Sequence, residues 1–118
     1  EKVYGASDCL IAASRGEGFG LPLIEAAQYK VPILARDIPV FREVAGDHAF
    51  FFSGETGKDL AAAVTEWLSL HREERPPTSD GMPWLTWSET AAQLARSIVE
   101  EDFLIELRAP RPEDVPAR

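Results

Sequence analysis

Residues 9–25 read Cys9-Leu10-Ile11-Ala12-Ala13-Ser14-Arg15-Gly16-Glu17-Gly18-Phe19-Gly20-Leu21-Pro22-Leu23-Ile24-Glu25, and three kinds of structure follow one another within them. The run Cys9–Ala13 is brief and apolar and follows Asp8, the pattern of a short buried strand. Ser14-Arg15-Gly16 ends it, and Gly16, Gly18 and Gly20 mark a turn. From Leu21 to Tyr29 the chain reads as a helix. Pro22 suits its first turn, where a missing N–H costs nothing and the fixed φ helps. Leu23, Ala26 and Ala27 recur at helical spacing and should face a core. Strand, glycine-rich turn and helix in this order form the repeating unit of a parallel α/β sheet.

The pattern continues on the C-terminal side. Pro32-Ile33-Leu34-Ala35 is a second short strand, entered through a proline as a strand start allows. Asp37–Glu43 reads as a loop and a helical turn, and Ala49–Phe52 as a third strand closed by Ser53-Gly54. Thr56 offers an N-cap with Asp59 three residues on, and Leu60, Val64, Trp67 and Leu68 line one face of the helix that follows. Arg75–Gly81 is a loop by composition. Thr86 and Glu89 form a capping box ahead of a helix expected to run to Leu107. The expected domain is 1–108, and 109–118, rich in proline and charge, is expected to be a disordered tail. Strands alternating with helices give an α/β fold with a short parallel sheet and flanking helices. Three strands are few for an open parallel sheet, so the domain is expected to be incomplete on its N-terminal side.

Composition narrows the partners. The chain has 118 residues, 45% of them hydrophobic, enough for one compact core. Twelve basic residues face 20 acidic ones, a net charge of −8, and no basic cluster is present to grip nucleic acid. Cys9 has no second cysteine to pair with and sits in an apolar run, so it reads as a small core residue and a reducing cytoplasm fits. No apolar stretch approaches the roughly 20 residues of a membrane span. The opening Glu1-Lys2-Val3-Tyr4 is not a signal peptide, and it lacks a methionine, so the chain is expected to start within something longer. His48 and His71 are not spaced to bind a metal with any carboxylate pair. Phe50–Phe52 reads as sheet core, and Trp67, Trp84 and Trp87 as packing between the last two helices rather than lining a sugar groove.

The chemistry concentrates in Glu17–Glu25, two carboxylates with seven residues between them. They lie between a strand and a helix, where α/β folds bind ligands. Gly18 and Gly20 permit close backbone approach and φ values that a side chain forbids. Free N–H groups in the first turn of the helix suit a phosphate. Glu17, in the loop, can accept hydrogen bonds from sugar hydroxyls, and Glu25, one turn into the helix, can accept both hydroxyls of a ribose. Gly16-x-Gly18-x-Gly20 is neither the dinucleotide fingerprint nor a phosphate-binding P-loop, and by itself it also fits a plain strand-to-helix turn.

The whole string Ser14–Glu25 resembles the signature of the large retaining glycosyltransferase family built on two facing Rossmann-like domains, the GT-B architecture of the family 4 type. Tyr4-x-x-Ser7-Asp8 before the loop is similar to that family's sequence. So are Glu25-Ala26-Ala27 through Val31-Pro32-Ile33-Leu34-Ala35, with Lys30 where glycine is usual. Pro39–Asp47, Ser53-Gly54 and Trp87-Ser88-Glu89-Thr90-Ala91 extend the likeness over residues 3–105. The resemblance implies a partial Rossmann-like domain, the C-terminal, donor-binding half of such an enzyme. It implies that Glu17 is the catalytic carboxylate beside the reacting carbon, that Gly18, Phe19, Gly20 and Leu21 face the sugar and diphosphate, and that Glu25 binds the ribose. It implies a nucleotide-diphosphate sugar as donor, a glycan or lipid acceptor, no cofactor and no metal. It also implies a partner N-terminal domain of the same chain, and a full-length protein lying peripheral to the inner face of the membrane. The family's phosphate-gripping Arg and Lys are not among these residues, so the fragment is expected to be inactive alone. A non-catalytic nucleotide-sugar-binding module is the main alternative. An NAD-type oxidoreductase is disfavoured by the glycine spacing.

Overall fold

The structure, a computed structural model, describes residues 2–99. The expected extension of the last helix to Leu107, the domain end at 108 and the tail 109–118 lie outside the described residues. A 3₁₀ turn at Tyr4–Ala6 leads into β1 (Leu10–Ala12), followed by α1 (Leu21–Gln28), β2 (Ile33–Arg36) and α2 (Pro39–Ala45). A second 3₁₀ turn (Gly46–His48), β3 (Phe50–Phe52), α3 (Gly57–Arg72) and α4 (Trp87–Val99) complete the order. The described chain forms two compact units, one ending at Trp84 and one beginning at Leu85.

The three strands are parallel in the order β1-β2-β3, with Ile11 opposite Leu34 and Ala35 opposite Phe51. β2 lies in the middle, and all four of its residues are buried, as a parallel strand covered on both faces should be. The alternation of its side chains sorts the core into two layers. Ile33 and Ala35 join Leu23, Ala26 and Ala27 of α1, Phe41 and Ala45 of α2, and Met82. Leu34 joins Phe52, Ala63 and Trp67 on the face that α3 covers.

β1 departs from the expectation of a buried strand. Leu10 and Ala12 face the α1 layer, but Ile11 is 48% exposed and Cys9 only half buried. Ile11 points to the α3 face, where α3 packs on β3 and the middle strand and does not reach the outer strand. Burial still pushes the Cys9 thiol up to about 11, which keeps it protonated and unreactive at neutral pH.

The α3 cap forms as its sequence indicates. Asp59 N–H donates to Thr56 Oγ1, while Thr56 N–H and Oγ1–H both donate to Asp59 Oδ2 at 2.8 and 2.7 Å. The buried face is Leu60, Ala63, Val64 and Trp67; Leu68 is 42% exposed, one step too far round the helix. Trp67 stacks on His71 of its own helix, with ring centroids 4.9 Å apart, so its partners are the sheet and α3 itself. The Thr56 hydroxyl and amide hold the Asp59 carboxyl below its ordinary value of 3.8. A carboxylate with a depressed folded pKa stabilises above its unfolded pKa, and that contribution is lost as pH falls through the folded value. The urea midpoint is therefore expected to fall on acidification below pH 3.8. Asp59→Asn should show a shallower fall; an identical acid limb in the variant would refute the cap's share.

Lys30, at the end of α1, adopts a left-handed conformation with φ 56°. Glycine takes this backbone without strain, so Lys30 carries a conformational cost that glycine would avoid. Beyond α3, the loop expected from composition is anchored to the core. Ser79 is buried and donates through Oγ to the Val31 carbonyl at 2.8 Å, and Met82 fills a slot in the α1 layer. Among the described residues no helix is long and apolar enough to cross a membrane.

Candidate functional site

The site is the loop from the end of β1 to α1, together with the outward face of α1. Burial of Leu23, Ala26 and Ala27 fixes the rotation of α1 and leaves Glu25 exposed. Gly20 is the helix N-cap and has φ 78°, a conformation that costs an L-residue with a side chain roughly 1–2 kcal/mol. Below it, a β-carbon at Gly20 would sit 3.5 Å from the Phe41 ring and 3.6 Å from Val44, so α2 forms the floor of the turn. Gly18 differs from the expectation. Its φ is not in the positive region, and the space around it is open. Only Gly20 of the two needs glycine for its backbone angle; Gly18 leaves room.

The helix start also offers fewer free amides than expected. Pro22 has no N–H, and Leu23 N–H donates to the Gly20 carbonyl at 3.0 Å. Phe19 and Leu21 are exposed beside it. Glu17 lies in the open loop and accepts from Ser14 Oγ at 2.9 Å. Glu25 accepts from Tyr4 Oη at 2.7 Å, and the Tyr4 ring stacks on Tyr29 with centroids 5.5 Å apart and planes within 6°. Both carboxylates therefore carry one hydroxyl donor already and keep further acceptor capacity.

The basic side chains nearby hold protein partners, except that Nη1 of Arg36 is buried with none among the described residues. Arg15 Nη2 donates to the Glu55 carbonyl at 3.1 Å. Arg42 grips Asp37 with two bonds of 2.7 and 2.8 Å and lies 4.0 Å over the Phe51 ring. That pairing holds Asp37 below its ordinary range and Arg42 above its own. Arg36 ends β2 and is only 8% exposed. Its Nε donates to the Ala13 carbonyl at 3.1 Å, and its guanidinium sits 4.9 Å from the Phe52 ring centre. Through Arg36 the carboxyl ends of all three strands are tied together just where the loop departs.

Sequence reading located Glu17, Gly18, Phe19, Gly20, Leu21 and Glu25 on one turn and its helix. It missed Arg36 and the Tyr4–Glu25 bond. The signal for Arg36 was a lone charge closing an apolar strand. A groove of about 290 Å³ lies elsewhere, between β3 and α3, lined by Phe50, Phe52, Ser53, Asp59, Ala63 and Glu66. Asp59 there is committed to its cap, and the groove shares no residue with the loop.

Comparison with known proteins bears on the same residues. A family model described as "Glycosyl transferases group 1" matches residues 1–78, spanning both Glu17 and Glu25. The serotype-specific mannosyltransferase WbdA of Escherichia coli is 53% identical over 97 residues, 82% of this chain. The O-antigen chain mannosyltransferase RfbU of Salmonella typhimurium is 36% identical over 62 residues, covering 52% of this chain and 18% of that protein. A lipopolysaccharide core biosynthesis mannosyltransferase of Rhizobium meliloti, LpsB, is 35% identical over 77 residues, 62% of this chain and 21% of its own length. This chain spans 12% of the length of WbdA. With a parallel α/β sheet of the Rossmann-like kind and a family match running unbroken through the β1–α1 loop, the chain belongs to the group 1 glycosyltransferases.

Proposed function

We propose that these residues form the donor half-site of a mannosyltransferase that moves the sugar from a nucleotide diphosphate to a glycan or lipid-linked acceptor. The observation that carries the reading is the pair of exposed carboxylates, Glu17 and Glu25, flanking the glycine turn at the carboxyl end of β1. The mannosyltransferase names of the three relatives support the choice of hexose. Those names also support a role in building surface polysaccharide. The complete protein would take its acceptor on a further domain and work peripherally at the inner face of a membrane.

In this reading each group has a task. Glu17 accepts hydrogen bonds from the sugar hydroxyls near the carbon that changes partner. The backbone at Gly18, Phe19, Gly20 and Leu21 lies along the sugar and diphosphate, and the Leu21 amide and helix dipole favour the anion. Glu25 takes the ribose diol. The configuration at the transferred carbon is retained, and no metal or cofactor is needed when positive side chains stabilise the departing diphosphate. Among the described residues, Arg15 and Arg42 beside the loop are already held by Glu55 and Asp37, and the chain by itself is expected not to turn over.

Titrating the chain with GDP, UDP and ADP while following its amide NMR signals tests the reading. Selective movement of the Gly18–Glu25 amides is expected, with affinity down at least tenfold in Glu25→Ala, since an acceptor for two hydroxyls is lost. The nucleotide that binds names the base. Sugar turnover by the chain alone would overturn the claim of inactivity. Binding by Glu25→Ala as tight as by the parent would overturn the ribose assignment.

A further inference from the structure

The Tyr4–Glu25 bond joins residues 21 apart in sequence and lies on the exposed side of α1. A glutamate on an open helix face has several rotatable bonds, and all must be frozen before its carboxylate can grip a diol. Here the freezing is built in. Tyr4 Oη holds Oε2 at 2.7 Å, and Tyr4 itself is fixed by stacking flat on Tyr29 and by packing against the α1 core layer. The bond and the Glu25 charge, with partial burial between them in weight, keep the Tyr4 phenol above its ordinary 10.0, so it remains a donor throughout the neutral range. With Oε2 accepting one proton from Tyr4, the whole of Oε1 and one lone pair of Oε2 stay free. Two vicinal hydroxyls need that complement.

We infer that Tyr4 is a positioning residue for Glu25, presetting its carboxylate to receive the two hydroxyls of a ribose. The inference rests on the donor-site reading above. It extends the site beyond the β1–α1 loop to the 3₁₀ turn ahead of β1, and it gives that turn a part in nucleotide affinity. Tyr29 contributes by holding the Tyr4 ring.

The test uses Tyr4→Phe, which keeps the stacked ring and removes only the hydroxyl. Affinities of the parent, Tyr4→Phe and Glu25→Ala chains are measured for GDP, UDP and ADP and for their 2′,3′-dideoxy counterparts. Tyr4→Phe is expected to weaken the ribonucleotides about tenfold, the scale of one bond to a charged group, and to leave the dideoxynucleotides unchanged. Equal weakening of both sets would mean a merely structural tyrosine and would overturn the inference. Unaltered ribonucleotide affinity in Tyr4→Phe, with a loss in Glu25→Ala, would sink the role of Tyr4 alone. No loss in Glu25→Ala would instead sink the ribose reading. Side-chain carbon relaxation of Glu25 in the nucleotide-free chain gives a second readout. Faster motion in Tyr4→Phe is expected, and unchanged motion would refute the positioning role even if no nucleotide bound.

Discussion

Phe41→Ala is expected to remove about 3–5 kcal/mol of unfolding free energy, the range for deleting a buried phenyl ring. Phe41 is 1% exposed and is the largest fully buried side chain among the described residues. It stands where α2 meets the α1 layer, beneath the turn that Gly20 makes. Its loss opens a cavity that stiff neighbours on the sheet cannot close. A small domain holds only about 5–15 kcal/mol in total, so a large part of the stability goes. Because the ring is the floor of Gly20, the loop should loosen with it, and amide exchange at Gly18–Leu23 is expected to accelerate more than exchange in α3. Phe41→Leu leaves a smaller cavity and should cost less. A urea midpoint for Phe41→Ala within error of the parent would contradict the packing described here.

The second large effect is expected at Gly54. Its φ is 101°, where a β-carbon is strained by about 1–3 kcal/mol. Space is refused as well. A β-carbon there would fall 2.7 Å from the Asp59 β-carbon and 2.5 Å from Oδ2. Asp59 cannot turn aside without releasing Thr56, so the substitution strains the turn and breaks the cap of α3 together, and a lost cap costs about 1 kcal/mol. Gly54→Ala should therefore lower stability by about 2–4 kcal/mol. Asp59→Ala removes the contacts with Cγ and Oδ2 but keeps the β-carbon at 2.7 Å, so adding Gly54→Ala to it should cost less than in the parent but more than the backbone strain alone. Full additivity of the two changes would argue against the contact.

What could be read from the sequence was what depends on near neighbours. The alternation of short apolar runs with helical spacing located β1, α1, β2, β3 and α3, because strand and helix periods are local properties. Thr56 with Asp59, and Thr86 with Glu89, revealed their caps for the same reason. The Glu17–Glu25 string was legible because glycine, proline and carboxylates fall within one turn of chain. Long-range packing was not. Nothing near Arg36 says that its guanidinium will fold back between Ala13 and Phe52. Nothing near Tyr4 says that a helix 21 residues later will bring Glu25 to its hydroxyl. Ile11 looked as apolar as Leu34, and only the reach of α3 separates an exposed residue from a buried one. Gly18 and Gly20 looked alike, and the cap geometry of α1 alone distinguishes them.

The anchoring of Ser79 and Met82 bears on where such a domain can be cut and joined to another. The family model ends at residue 78, inside the compact unit that runs to Trp84, while the likeness to WbdA covers 97 residues. A chimera spliced at residue 78 would leave the Val31 carbonyl without its hydroxyl donor and the Met82 slot unfilled. One spliced after Trp84 carries both pieces across. Residue 78, where the family model ends, and Trp84, where the compact unit ends, are six residues apart, and an engineer exchanging such domains should follow the second.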